Sequence, residues 1–67
     1  MRTEMRVLKM AYGFTVFRNL ETMKIVVTET NLKKFKLLVD EIVDVEYETT
    51  YVVDDKTSYV KVLSVKQ

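Results

Sequence analysis

The stretch VEYETTYVVDDKTSYVKVLSV, residues 45–65, carries the clearest pattern in this 67-residue sequence. Apolar residues alternate with polar ones on both sides of a turn at 54–57, which is typical of two paired strands. Pairing Val53 with Ser58 predicts a core face made of Tyr47, Tyr51, Val53, Val60 and Val62. The opposite face of this predicted closing hairpin carries Glu46, Glu48, Val52, Tyr59, Lys61, Leu63 and Val65.

The first 28 residues also have strand patterns. Residues 5–18 are rich in apolar side chains that partly alternate, and Gly13, the single glycine, predicts a bulge or a close backbone approach. A turn at 19–22 and a β-branched run at 23–28 complete a predicted first hairpin.

Between the hairpins the pattern becomes that of a helix. Apolar residues recur at intervals of three and four, and Thr30 or Asn31 is placed to cap the first turn. The apolar stripe consists of Leu32, Phe35, Leu38, Val39 and Ile42. We expect a helix over residues 31–43, and therefore one α+β domain over residues 1–67 with the order ββαββ. A four-stranded, mostly antiparallel sheet would pack one face against this helix.

The predicted sheet has more apolar surface than one helix covers. Both hairpins place apolar side chains on both faces, and a single helix packs against one face only. An uncovered apolar patch marks an interface more often than an accident, although a curled sheet and the chain ends are an alternative cover. The functional interpretation is a face that binds another protein or a second copy of the chain.

Charge is distributed unevenly along a chain whose net charge is +1. Residues 1–36 carry eight Lys or Arg and three acids, a net +5, whereas residues 37–67 carry three and seven, a net −4. Such asymmetry steers charged partners, although chance clustering produces it too. Lys33, Lys34 and Lys36 at the start of the expected helix indicate a possible anion-binding site, with a solvated helix face as the alternative.

The composition argues against catalysis. The chain has no Cys and no His, and its two serines, Ser58 and Ser64, have no imidazole to activate them. One glycine does not make a phosphate-binding loop. We therefore expect a non-enzymatic protein without a metal or cofactor. Apolar runs are too short for a membrane span and the N-terminus lacks a secretory signal, so the expected location is the cytoplasm.

Nucleic-acid binding is the alternative function. Sheets with exposed aromatic residues act as stacking platforms, and Arg6, Lys9, Arg18 and Lys24 are candidates to contact phosphates. The low net charge and the acidic second hairpin argue against a strand that lies across the whole sheet. A small nucleic-acid-binding or regulatory domain therefore stays the second choice.

Two segments of the chain resemble the phage antitoxin Dmd family. The segment FRNLETM at 17–23, after a Met-rich strand with Gly13, is similar to that family's first hairpin. The segments YVVDDK at 51–56 and YVKV at 59–62 are similar to its closing hairpin. The length and the order of elements are also similar, whereas the intervening helix matches in pattern alone.

The resemblance implies a function in evasion of host defence. Dmd-type proteins bind a host endoribonuclease toxin of the RnlA/LsoA type and block its access to RNA. Carried over to this chain, the acidic second hairpin would contact the basic surface of such a toxin. The candidate partner-binding residues are Glu46, Glu48, Val52, Asp54, Asp55, Tyr59, Lys61 and Leu63. The first expectation is therefore an antitoxin that inhibits a partner protein in the host cytoplasm.

Overall fold

The computed structural model describes residues 1–11, 13–29 and 36–67. These residues form five β-strands: β1 (Arg2–Ala11), β2 (Phe14–Asn19), β3 (Ile25–Thr28), β4 (Ile42–Val52) and β5 (Thr57–Lys66). The strands close into a barrel in the order β1-β2-β3-β5-β4, and β4 pairs back to β1. The β3–β5 pair is parallel and the other four pairs are antiparallel. A five-stranded barrel with this strand order has the topology of the OB-fold.

The α+β prediction, with four strands and a packed helix, is wrong. Of the expected helix at 31–43, residues 36–41 form turns and irregular structure and residues 42–43 begin β4, whereas 31–35 lie outside the described residues. Lys36 and Asp40 have φ angles of +52° and +71°, which a right-handed helix does not contain. The described part of the chain accordingly has no helix that is long and apolar enough to cross a membrane.

The apolar stripe of the expected helix does not face the core where the structure describes it. Leu38 and Val39 are 70% and 55% exposed, and Ile42 is exposed at the start of β4. Leu37, which lies outside the stripe, is buried instead. Leu38 and Val39 lie in the β3–β4 connection and Ile42 begins β4, so their spacing of three and four residues does not indicate a helix.

Gly13 connects two strands rather than interrupting one. Ala11 pairs with Phe14 across β1 and β2, so Gly13 lies in the link between these strands. Gly13 has a φ of +88°, a conformation that costs glycine little because it lacks a Cβ atom. The predicted turn at 19–22 is present, but it joins β2 to β3 and belongs to a second connection.

The inward side chains of all five strands, with one from the β3–β4 connection, fill the barrel. Along β4, for example, Val43, Val45 and Tyr47 alternate with outward residues. The complete core cluster consists of Met5, Val7, Phe17, Val26, Leu37, Val43, Val45, Tyr47, Val60 and Val62. One face of every strand is thus covered by the other strands, and a packed helix is not needed to bury it.

β-Bulges change which side chains reach the outer surface. In β4, Thr49 pairs with Val60 and Tyr51 pairs with Tyr59, so Thr50 is the additional residue. In β1, Leu8 is the additional residue between Val7 and Lys9. Each bulge reverses the alternation that follows it along the strand.

The predicted pairing of the closing hairpin is wrong because of the bulge at Thr50. Ser58 pairs with Val52 rather than Val53, and Tyr51 opposes Tyr59 rather than Val60. The predicted core face is correct for three of its members, which are buried: Tyr47, Val60 and Val62. Tyr51 and Val53 are exposed.

Candidate ligand-binding surface

Two rows of outward side chains cross the outside of the barrel. The first, which we name the arginine row, follows the strand pairing through Arg6, Arg18, Ile25 and Thr57. The second, the tyrosine row, follows it through Lys9, Val16, Val27, Tyr59 and Tyr51. Neighbouring strands lie about 4.8 Å apart, so the path along the tyrosine row, measured around the curved barrel surface, is about 19 Å. Cations lie at the β1 end of this surface and aromatic rings at the β4 end.

The arginine row holds two like charges side by side. Arg6 and Arg18 are directly opposite each other on β1 and β2, an arrangement that destabilises a strand pair. Arg6 Nη1 donates a long hydrogen bond to the backbone oxygen of Asp40 at 3.4 Å. Arg18 Nε is buried without a hydrogen-bond partner among the described residues. A bound anion would offset the repulsion between the two guanidinium groups.

The tyrosine row ends in a stacked pair of rings. The ring centroids of Tyr51 and Tyr59 are 6.3 Å apart and the ring planes differ by 25°. Tyr51 is 62% exposed and Tyr59 is 39% exposed. The bulge residue Thr50 donates its Oγ1 hydrogen bond to the Tyr59 backbone oxygen at 3.2 Å, which helps to fix the bulge. The pair therefore offers exposed aromatic surface to a planar ligand.

A groove of about 380 Å³ opens beside these rings. It is lined by Glu29, Thr50, Tyr51, Tyr59, Val60 and Lys61. Glu29 directly follows β3, and Lys61 lies on β5 opposite Glu48 of β4. The groove thus combines aromatic walls with one carboxylate and one ammonium group.

The β4–β5 turn forms one rim of this surface and is fixed to the barrel. Asp54 Oδ1 accepts a hydrogen bond from the Lys56 backbone N–H at 2.7 Å, and the Asp54 N–H donates to the Thr57 oxygen at 3.2 Å. The Lys56 oxygen accepts from the N–H of Ile25 at 2.7 Å. Asp54 therefore shapes its own turn, as Asp commonly does.

The eight predicted partner-binding residues are distributed over several places on the β4–β5 hairpin. Three of them, Glu48, Tyr59 and Lys61, share its outer surface near the groove. Asp54 and Asp55 are exposed in the turn. Val52, the neighbour of Tyr51 in the strand, points to the other side of the hairpin and is 65% exposed.

The remaining two predicted residues lie closer to the seam between β1 and β4. Glu46 Oε1 lies 3.5 Å from Arg2 Nη2 and accepts a hydrogen bond from Ser64 Oγ at 3.2 Å. Leu63 is the additional residue of a bulge in β5 and is 45% exposed. Glu46 therefore already has partners within the barrel.

The predicted anion-binding lysines fall mostly outside the described residues, as Lys33 and Lys34 do. Lys36 is exposed, and its backbone oxygen accepts a hydrogen bond from Gln67 Nε2 at 3.4 Å. Within the described part of the chain, no group of three or more acidic side chains could hold a metal ion.

The sequence predicts only part of this surface. Of the candidate phosphate contacts Arg6, Lys9, Arg18 and Lys24, the first three lie on one side of the barrel, and Lys24 is exposed immediately before β3. The prediction of Tyr51 as a core residue is wrong, and the sequence pattern does not indicate Glu29 as a site residue. Their positions depend on a bulge and on the parallel β3–β5 pair, for which the local sequence has no signal.

Comparisons with known proteins add no relative to this description. No protein-family model, curated protein or solved structure matches the chain. The resemblance to the Dmd antitoxins therefore stays a prediction.

Proposed function

We propose that this protein binds single-stranded nucleic acid across the arginine and tyrosine rows. The observation that carries the proposal is the directly opposed pair Arg6 and Arg18 beside a row that ends in two exposed, stacked tyrosines. Guanidinium groups contact phosphates, and aromatic rings stack on bases whatever their sequence. The two rows together supply both parts of sequence-tolerant recognition.

The distances between the rows suit an extended strand. Arg18 and Val16 lie two residues apart on β2, so the rows are separated by about 7 Å. Phosphates at the β1–β2 end would meet Arg6, Arg18 and Lys9, and the bases would point toward the tyrosines. This orientation also keeps the phosphates away from the acidic β4–β5 turn, which answers the charge objection raised by the sequence.

A comparison with OB-fold barrels also supports the proposal. OB-fold barrels bind oligonucleotides on the surface around β2 and β3 and on the β1–β2 and β4–β5 loops, which is where the two rows lie. Fold alone does not assign function, so the side chains of the two rows carry the proposal.

Fluorescence anisotropy of a labelled single-stranded oligonucleotide tests the proposal. Arg6→Gln and Arg18→Gln should each weaken binding and lower the slope of log affinity against log salt by about 0.7, because one phosphate contact is lost. Lys66→Gln removes an equal charge at the end of β5 remote from Thr57 and Tyr59, outside both rows, and should change little. If Arg6→Gln, Arg18→Gln and Lys66→Gln all have the same affinity and the same salt dependence, the proposal is contradicted.

A second candidate function is inhibition of a partner protein in the cytoplasm. The β4–β5 hairpin favours it, since the β1 pairing of β4 ends at Glu46 and the residues beyond carry exposed apolar side chains. Val52 and Val53 are 65% and 47% exposed, and residues 42–61 carry five acids and two lysines, a net −3. An acidic, apolar hairpin fits a basic protein surface, such as that of the ribonuclease toxin implied by the resemblance.

A further inference from the structure

The groove beside the stacked tyrosines is lined by one acidic and one basic side chain in addition to the two rings. The inference rests on the proposed nucleic-acid binding and adds specificity to it. Tyr51 and Tyr59 supply stacking that every base accepts, whereas Glu29 and Lys61 are fixed in their hydrogen-bonding character. A carboxylate only accepts hydrogen bonds and an ammonium group only donates them.

These two groups together match the Watson–Crick edge of guanine. Guanine presents two adjacent donors, N1–H and N2–H, which a carboxylate accepts in a bidentate pair, and an acceptor, O6, beside them. Adenine and cytosine present one amino group next to ring acceptors, and uracil or thymine presents one N–H between two carbonyl groups. Guanine alone among these bases offers two adjacent donors to Glu29 and an acceptor to Lys61.

We propose that the groove is a guanine subsite in which Glu29 reads N1–H and N2–H, Lys61 contacts O6, and a tyrosine ring stacks on the base. A volume of about 380 Å³ accommodates a purine with room for solvent. The neighbouring arginine row then binds the phosphates of the same nucleic-acid strand. The guanine subsite determines which nucleotide lies at which position on the protein.

The test is a series of labelled oligothymidylates that differ at one central base. A single guanine should raise the affinity of the wild-type protein about tenfold over the all-thymine strand, because a bidentate pair discriminates strongly between bases. Inosine, which lacks only the N2 amino group, should lose most of this gain. Adenine and cytosine should behave as thymine does.

The variant Glu29→Gln, which keeps the shape but removes one acceptor and the charge, should abolish the preference for guanine over inosine. Its affinity for the all-thymine strand should rise, because the variant removes a negative charge beside the bound strand. Glu21→Gln, an exposed acid in the β2–β3 turn, is the matched control and should keep the preference.

The outcomes separate this inference from the proposed function. Equal affinity for all the strands, or a guanine preference that survives Glu29→Gln, would overturn the subsite while single-strand binding stands. Failure to bind any of the strands would overturn both.

Discussion

At the scale of single residues, Tyr51 has the most informative position. Strict alternation from the buried Tyr47 would direct it toward the interior, and the additional residue Thr50 instead brings it to the outer surface beside Tyr59. Bulges are known to re-aim side chains in this way next to functional sites. The same device in β1 turns Lys9 outward to meet Val16.

Substitutions of Tyr51 test the contribution of stacking to binding without a large change in the stability of the fold. Tyr51→Ala should weaken single-strand binding by about 1–3 kcal/mol through the loss of one stacked base. Tyr51→Phe keeps the ring and should retain most of the affinity. Because the side chain is 62% exposed, both variants should unfold at nearly the same urea concentration as the wild type. If Tyr51→Ala binds with wild-type affinity, the Tyr51 ring is not part of the binding site.

At the scale of elements, charge changes in the β4–β5 hairpin distinguish the two candidate functions. Glu48→Lys together with Asp55→Lys reverses two exposed charges without touching Asp54, whose carboxylate fixes the turn. The double variant should bind single-stranded nucleic acid more tightly and with a steeper salt dependence, because two acids near the strand become cations.

The same variant should weaken a complex with a basic protein, as measured by titration against a ribonuclease toxin of the RnlA/LsoA type. Glu21→Lys, in the β2–β3 turn, is compared with Glu48→Lys alone, because each of these variants reverses one exposed charge. Unchanged binding to the toxin would contradict the second candidate, and weaker binding to the oligonucleotide would contradict the first.

Strand prediction from the sequence was correct for most of the closing hairpin. Residues 45–52 and 58–65 lie in β4 and β5, and reversals fall within the predicted turns at 19–22 and 54–57, whereas Val53 lies outside β4 and Thr57 begins β5. The helix was predicted wrongly because Leu38, Val39 and Ile42 have helical spacing by coincidence. Backbone conformations with positive φ at Lys36 and Asp40 leave no apolar signal in the sequence.

At the scale of the whole molecule, the barrel depends on pairings between distant segments. Arg2 pairs with Glu46 across the β1–β4 seam, and Val27 pairs with Tyr59 in the parallel β3–β5 pair. Local patterns specify strands and turns but not their partners, so the closed barrel was not predictable from them. The candidate surface was only partly predictable for the same reason, since both rows cross at least four strands.

Closure also arranges charge over the molecule. Residues 1–28 carry five cations and two acids, a net +3, and the hairpin at 42–61 carries a net −3. The resulting field attracts a polyanion to the β1–β2 side and directs it away from the β4–β5 turn. Overall net charge, which is close to zero, therefore understates the attraction that a bound strand would experience.

A nuclear magnetic resonance titration of the ¹⁵N-labelled protein with a single-stranded oligonucleotide would locate the binding surface residue by residue. We expect the largest chemical-shift changes along the arginine and tyrosine rows, with Arg18, Val27 and Tyr59 among them. Asp44 and Ser64, which pair with Glu4 and Glu46 and lie on neither row, should change little. Absence of shift changes at saturating oligonucleotide, or changes confined to residues outside both rows, would contradict the proposed site.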